Sequence, residues 1–181
     1  MYTNVNIKRQ YLTLVLNLFI LNLRTVYMNK KKISKIEYVV SACLAGVPCR
    51  WNGKAKTNQK ILDLFVSGKA IAICPEVMVG LGIPRPACEI IGGEGSDVLF
   101  GKAKILDKSG RDHTKLFVKG ARMAWLSIKK HNIKKAILKS GSPSCGCNFI
   151  PFGDFSGRRK KGKGVFTVIL RENRVKVKEV N

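Results

Sequence analysis

The sequence predicts a single α/β domain with a mainly parallel sheet and helices on both faces, a Rossmann-like three-layer arrangement. Three short apolar runs that favour strands, 38–43, 70–74 and 135–139, alternate with two segments of helical periodicity, 58–67 and 112–131. This alternation is typical of parallel sheets, because each crossover carries a helix back across one face. The 181 residues, 45% of them hydrophobic, are enough to bury one core.

The two predicted helices have clear boundaries. In the first, over 58–67, four apolar residues recur at helical spacing, and Gly68 ends the helix. These residues are Ile61, Leu62, Leu64 and Phe65. The second begins after Asp112, whose side chain can cap free backbone N–H groups, and extends through His131.

The remaining segments give weaker patterns. We expect a strand pair from 98–100 and 104–106, and a loop over the glycine-rich and basic stretch 153–164. Segment 165–173 is predicted to be a helix, although its β-branched residues favour a strand intrinsically. Residues 175–178 alternate in polarity, as expected for a half-exposed edge strand.

Residues 1–34 are predicted to lie outside the domain, which we assign to 35–181. A basic pair precedes the apolar run 11–23, as in a signal peptide. Two asparagines interrupt that run, which is shorter than the ~20 residues that span a bilayer. We therefore expect a disordered leader or an over-annotated start, with translation beginning near Met28, and no membrane partner.

The net charge of +23 indicates affinity for polyanions such as nucleic acid. A solvated lysine-rich surface explains the same charge, since the basic residues scatter along the chain. The basic run 158–163 lacks the aromatic residues that usually accompany nucleic-acid binding. The charge therefore leaves tRNA open as a partner without requiring it.

Three of the six cysteines follow predicted strands. Cys43 and Cys74 end the first two, and Cys145 follows the third after a short turn. Since carboxyl ends of neighbouring parallel strands meet in one crevice, the three thiols are predicted to form a metal site with one open coordination position. Each could instead be a small buried hydrophobic residue. Zinc is another alternative, but the close pairs of structural zinc sites are missing.

The other three cysteines, Cys49, Cys88 and Cys147, are assigned to packing or to the surface. Nothing in the composition calls for disulfides, so we expect free or metal-bound thiols in the cytoplasm.

Four polar residues near these cysteines are candidates for catalysis or binding. Glu76 follows Cys74 by two residues and could act as an acid or base, or could cap the next turn. Ser142 and Ser144 could hydrogen-bond cluster sulfides or substrate, or could stabilise their turn. Arg85 lies on a proline-rich loop, where it could meet a substrate oxygen or form a surface salt bridge.

Several motifs together closely resemble a bacterial family formerly catalogued as a domain of unknown function, which includes the thiouracil desulfidases. The resemblance runs from about Lys35 to the C-terminus. The motifs are Ser41-Ala42-Cys43-Leu44-Ala45-Gly46, Cys74-Pro75-Glu76-Val77, Pro84-Arg85-Pro86, Lys139-Ser140-Gly141-Ser142-Pro143-Ser144-Cys145-Gly146 and Phe155-Ser156-Gly157.

The resemblance implies an oxygen-sensitive [4Fe-4S] cluster with three cysteine ligands, Cys43, Cys74 and Cys145. The open iron would capture sulfur from a thiolated pyrimidine, and water would replace it without net redox change. The implied catalytic residues are Glu76 and Ser142. The residues assigned to substrate binding are Ser41, Arg85 and Ser144.

Three alternatives remain. Two are enzymes: a desulfidase acting on thiouridine in tRNA, and a different sulfur-transfer or sulfur-removal reaction on the same cluster. The third is a basic RNA-binding protein with structural or zinc-bound cysteines.

The chain also departs from the family pattern at three places. Cys88 stands where a small or neutral residue is expected, and the final helix is unusually rich in β-branched residues. The third departure follows Cys49 and Arg50. Trp51-Asn52-Gly53 stands where the pattern has Tyr-Asp-Gly, which changes the expected substrate contacts.

Overall fold

The structure, a computed structural model, describes residues 35–181; the predicted leader lies outside the described residues. Its strands are β1 (Tyr38–Ser41), β2 (Ala70–Ile73), β3 (Cys88–Ile91), β4 (Lys104–Asp107), β5 (Lys135–Lys139), β6 (Phe149–Pro151), β7 (Arg159–Lys161) and β8 (Lys176–Val180). Its α-helices are α1 (Gln59–Val66), α2 (Pro75–Met78), α3 (Gly95–Leu99), α4 (Thr114–Lys129) and α5 (Val165–Glu172), and a 3-10 helix covers Ala42–Ala45.

The central sheet has four parallel strands in the order β2-β1-β5-β8. Tyr38 of β1 lies opposite Ala70 on one side and opposite Lys135 on the other. The chain thus runs outward from β1 to β2 and later returns to the opposite side of β1. In open α/β sheets this reversal creates a crevice at the carboxyl ends of the strands. The predicted parallel α/β fold is confirmed.

Helices cover both faces of the sheet because consecutive residues of each strand point to opposite faces. Val39 packs in the larger core with Phe117 of α4 and Phe166 of α5. Val40 packs in the smaller core with Ile61 of α1. Both valines are fully buried, as expected for central parallel strands that are covered on both sides.

The strand predicted over 98–100 is wrong, because those residues belong to helix α3 and the loop after it. The side chain of Asp97 accepts a hydrogen bond of 2.8 Å from the backbone N–H of Glu94, and Glu94 completes the capping box. This local capping outweighs the strand propensity of the apolar residues. Strand β4 instead pairs antiparallel with β3.

The predicted loop 153–164 contains a short strand, β7, which pairs antiparallel with β6. Segment 165–173 does form a helix, α5, as predicted. Its residues Val165–Leu170 are all buried, so tertiary packing on every side outweighs their strand propensity. Strand β8 forms an edge of the central sheet, as predicted for 175–178. Within residues 35–181, none of the helices combines the length and apolar character needed to cross a membrane.

Candidate active site

The three predicted thiols meet at the carboxyl edge of the sheet. Cys43 lies in the 3-10 helix that directly follows β1, and Cys74 follows β2 and precedes α2. Cys145 lies six residues beyond the end of β5. Because β2, β1 and β5 are neighbours, all three cysteines line one cavity of about 360 Å³. Cys49, which we had assigned to packing, lines the same cavity.

Backbone and hydroxyl hydrogen bonds fix the turn that carries Cys145. Ser142 Oγ accepts hydrogen bonds from the backbone N–H groups of Ser144 and Cys145, both at 3.1 Å. The start of α5 donates to the same turn, from Val165 N–H to the Pro143 carbonyl at 2.9 Å. A Cβ atom on Gly164 would lie 2.4 Å from the Ser144 carbonyl oxygen, so only glycine allows this approach.

Glu76 is held on both carboxylate oxygens. Oε2 accepts hydrogen bonds from Arg85 Nε at 2.9 Å and Nη2 at 2.6 Å, and Oε1 accepts one from Ser144 Oγ at 3.0 Å. Burial lowers the pKa of Arg85, but the charge and hydrogen bonds of Glu76 outweigh burial and raise the pKa above its ordinary value. The side chains of Arg85 and Glu76 are only 7% and 14% exposed, which shields the ion pair from solvent.

Arg85 also ties this carboxylate to the thiols. Its Nη2 group donates to the Cys49 carbonyl at 3.0 Å, and Nη1 donates to the Gly82 carbonyl at 3.1 Å. Most of its N–H groups are therefore satisfied by protein atoms. The geometry makes Arg85 an orienting group for Glu76 more than a free donor for substrate.

Ser41 connects the end of β1 to the thiol of Cys145. Its Oγ accepts a hydrogen bond from the Lys139 backbone N–H at 3.0 Å and interacts with the Cys145 thiol. Burial raises the pKa of Cys145, and the hydrogen bond with Ser41 partly opposes that rise. Ser41 thus orients a thiol within the cavity wall.

The thiols of the cavity differ in how easily they ionise. A hydrogen bond with Cys49 lowers the pKa of Cys43 despite burial, with help from the positive charges of Lys139 and Arg50. The pKa of Cys49 is raised, because its thiol hydrogen-bonds with those of Cys43 and Cys74 and is also buried. Within this group the thiolate is therefore favoured at Cys43 and the thiol at Cys49.

Cations and one aromatic residue surround the opening of the cavity. We call this set the cavity mouth; it comprises Arg50, Trp51, Lys139, Arg158 and Arg159, all of which line the cavity. The indole of Trp51 is 49% exposed. Burial and the charge of Arg50 lower the pKa of Lys139.

Seven of the eight residues predicted from sequence line the cavity. They are Ser41, Cys43, Cys74, Glu76, Arg85, Ser142 and Cys145. The eighth, Ser144, is buried behind the cavity wall and contacts Glu76. Sequence reasoning missed Cys49, Cys88 and Lys139, which also line the cavity. A signal existed for two of them, since Cys49 follows Cys43 by six residues across a tight turn and Lys139 ends a strand that leads to the site.

The fold and the cavity define a single-domain α/β protein whose sheet edge carries grouped thiols beside an oriented carboxylate, an arrangement typical of an enzyme. The chain belongs to the 2-thiouracil desulfurase family, whose model matches residues 38–181. This membership confirms the resemblance drawn from the sequence motifs and the expectation of an enzyme.

Two relatives extend this assignment. The uncharacterized protein YbbK of Bacillus subtilis (strain 168) is 45% identical over 134 residues, which cover 74% of this chain and 89% of YbbK. Among solved structures, the [4Fe-4S]-dependent thiouracil desulfidase TudS matches with a TM-score of 0.70 and 37% identity. That match covers 80% of this chain and 91% of the TudS chain.

Proposed function

We propose that the chain removes sulfur from a thiolated pyrimidine such as thiouracil and replaces it with oxygen from water. A [4Fe-4S] cluster held by Cys43, Cys74 and Cys145 would serve the reaction. The observation that carries the proposal is the convergence of these thiols with Glu76 on one cavity. The likeness to TudS, a [4Fe-4S]-dependent thiouracil desulfidase, supports both cofactor and substrate class.

The donor set fits a cluster better than a single ion. Among residues 35–181, no three His, Cys, Asp or Glu side chains come close enough together to hold one metal ion. Three thiols spread around one cavity suit a cubane, which has irons at several corners, better than a tetrahedral zinc ion. The positive charges of Lys139 and Arg50 near Cys43 also offset the negative charge that thiolates and cluster bring.

When bound, the cluster would supply an iron without a protein ligand, a Lewis acid suited to thiocarbonyl sulfur. Glu76 would take a proton from the water that attacks the ring carbon. Arg85 keeps the carboxylate in one orientation, and Ser144 fixes its other oxygen. Arg85 occupies both acceptor sites of Oε2, whereas Oε1 accepts only the Ser144 hydroxyl and keeps a lone pair for the water. Glu76 can therefore act as a general base through Oε1 from its observed position.

Ser142 is suited to contact the substrate. Its Oγ already accepts two backbone hydrogen bonds, so the hydroxyl proton is left to donate into the cavity that Ser142 lines. The exocyclic carbonyl oxygen of a thiolated pyrimidine is an acceptor of the right kind. We assign Ser142 the role of orienting the base. We place the reaction in the cytoplasm, where thiols are kept reduced and so stay available as ligands.

The direct test measures iron and acid-labile sulfide in protein purified and reconstituted without oxygen, followed by incubation with thiouracil. We expect about four of each per chain, a broad absorption band near ~400 nm, and release of sulfide with formation of uracil. Colourless protein that holds zinc after reconstitution would overturn the proposal and favour a basic RNA-binding protein. Iron-loaded protein that leaves thiouracil and other thiolated bases intact would overturn the substrate class alone.

The cavity mouth supports a second candidate substrate, thiouridine within tRNA. Arg50 and Arg159 form no ion pair with any carboxylate among residues 35–181, so their charge is free for phosphates. Trp51 offers an exposed face for base stacking. Turnover of thiolated tRNA at a higher kcat/KM than thiouracil would establish this substrate. Equal binding of tRNA with and without thiouridine, and no turnover, would exclude it.

A further inference from the structure

We propose that Cys49 is a redox-active thiol, which is oxidised to an intrachain disulfide with Cys43 or Cys74 when the site holds no cluster. The inference rests on the proposed function, because it takes Cys43 and Cys74 as cluster ligands. It assigns chemistry to a cysteine that the proposed mechanism leaves without a role.

The position of Cys49 carries the inference. Its side chain is 2% exposed and lines the cavity, so small molecules reach it only through that cavity. The thiols of Cys43 and Cys74 line the same cavity, and Cys74 Sγ donates to the Cys49 carbonyl at 3.9 Å. Cys49 therefore lies beside two of the three proposed ligands.

The backbone of Cys49 is held firmly in this place. Its carbonyl accepts a hydrogen bond of 3.0 Å from Arg85 Nη2, and its N–H donates to the Val47 carbonyl at 2.8 Å. Loss of a cluster leaves these bonds intact. The sulfur of Cys49 thus stays beside its neighbours in the empty site, as disulfide formation requires.

The other cysteines are less suited to this chemistry. Cys88 lines the same cavity, but its Sγ donates to the Pro86 carbonyl at 3.7 Å. Cys147 lies outside the cavity, where it contacts the Cys145 carbonyl and Thr167. Sulfur contact that does not depend on a cluster therefore centres on Cys49.

The reaction balances with dioxygen as the oxidant. Two thiols lose two protons and two electrons and form one S–S bond, and dioxygen takes up both to give hydrogen peroxide. The disulfide occupies one ligand thiol, so iron cannot be bound again until a dithiol reduces the bond by exchange. It also protects that thiol from irreversible oxidation to sulfinic and sulfonic acids.

The experiment exposes anaerobically reconstituted protein to air until its iron is lost, then counts free thiols and maps peptides without reductant. We expect the count to fall from six to four. A Cys43–Cys49 disulfide would lie within the tryptic peptide 36–50, and a Cys49–Cys74 disulfide would join that peptide to 70–102. Each of these peptides contains two cysteines, so fragmentation of the joined peptides identifies the bonded pair. A disulfide without Cys49, or no disulfide, would overturn the proposal.

Two variants sharpen this result. Cys49→Ser should bind as much iron as the original chain, keep all five thiols after air exposure, and take up iron again without a dithiol. Cys147→Ser, an equally buried cysteine, should lose two of its five thiols as the original chain does. If Cys49→Ser bound no iron, Cys49 would be a ligand and the proposal would be wrong.

A failure of the proposed function is recognised separately. If the original chain took up no iron at all, the cluster assignment would fail. The thiol count of that metal-free chain before and after air exposure would still decide whether Cys49 forms the disulfide.

Discussion

The floor and the mouth of the cavity are built on different principles. On the floor, which comprises Cys43, Cys74, Cys145, Glu76 and Arg85, side chains are largely buried and each follows a strand end or contacts a residue that does. At the mouth, Trp51, Arg158 and Arg159 are exposed. The floor fixes atoms relative to each other, whereas the mouth presents charge.

This difference reflects what each region has to do in the proposed reaction. Bond breaking needs a base and a metal within hydrogen-bonding or coordination distance of defined atoms, so small displacements are costly. Attraction of an anionic partner acts over a Debye length of about 10 Å, and the precise side-chain position matters little. Substitutions on the floor should therefore have much larger effects on turnover than substitutions at the mouth.

The largest effect is expected from the proposed ligands. Cys74→Ala should reduce the iron content from about four per chain to a small fraction, because a cubane without one thiolate is readily lost. Iron and sulfide analysis after anaerobic reconstitution measures this. Cys147→Ala, which removes a buried cysteine outside the cavity, is the matched control and should keep its iron. Full iron content in Cys74→Ala would remove Cys74 from the ligand set.

Glu76→Gln should keep the cluster and lower kcat by ~100-fold or more, since an amide cannot accept the proton from water. Single-turnover kinetics with iron-loaded protein separates this effect from loss of the cluster. Glu37→Gln, at an exposed carboxylate that faces Lys135, is the control and should leave kcat unchanged. An unaltered rate in Glu76→Gln would end the assignment of Glu76 as the base.

Arg85→Lys should lower kcat by roughly tenfold with a smaller change in KM, because lysine cannot reproduce both hydrogen bonds to Glu76. Steady-state kinetics gives both constants. Arg122→Lys, on the exposed side of α4, serves as the control. If Arg85→Lys raised KM and left kcat alone, Arg85 would contact the substrate directly, as the sequence motif first suggested.

Gly164→Ala tests how closely the start of α5 must pack against the turn that carries Cys145. The added methyl group would meet the Ser144 carbonyl oxygen, so we expect a loss of about 1–3 kcal/mol in the free energy of unfolding. Denaturant titration measures this loss. Gly82→Ala places its methyl group 3.8 Å from the nearest atom and should change stability little. Equal stability of the two variants would show that α5 moves to accommodate the methyl group.

The smallest effect on the chemistry is expected at the mouth. Arg159→Gln should change kcat/KM for free thiouracil by less than about twofold. The Arg159 guanidinium donates a hydrogen bond of 3.3 Å to Asn181 Oδ1, so we expect it to act on the substrate through its charge alone. The affinity for tRNA should fall. The slope of the logarithm of the binding constant against the logarithm of the salt concentration should become smaller by about one unit. Lys119→Gln on α4 is the exposed control. A tenfold loss with thiouracil would place Arg159 in contact with the free base.

Much of the molecule could be predicted from local sequence. The three central strands and helices α1 and α4 follow from apolar periodicity, and α/β topology follows from their order along the chain. The motifs around Cys43, Cys74 and Cys145 identified the family. Periodicity and motifs are local features of the sequence, so they can be recognised without knowledge of long-range contacts.

Other features were decided by contacts between distant residues. Strand β4 pairs with β3, and helix α3, which begins with a capping box, lies between them in the chain. The apolar segment 98–100 favoured a strand in the sequence, so the helix was not predicted. Helix α5 forms despite its β-branched residues because the core surrounds it on all sides.

The sequence by itself determined the fold class, the family and seven of the residues that line the cavity. Only the tertiary structure decided what those residues contact: Arg85 and Ser144 bind Glu76, Ser41 binds the Cys145 thiol, and Cys49 lies beside two other thiols. The physical reason is that the strand order brings together loops separated by up to about a hundred residues, and hydrogen-bond partners across such separations leave no pattern in the local sequence.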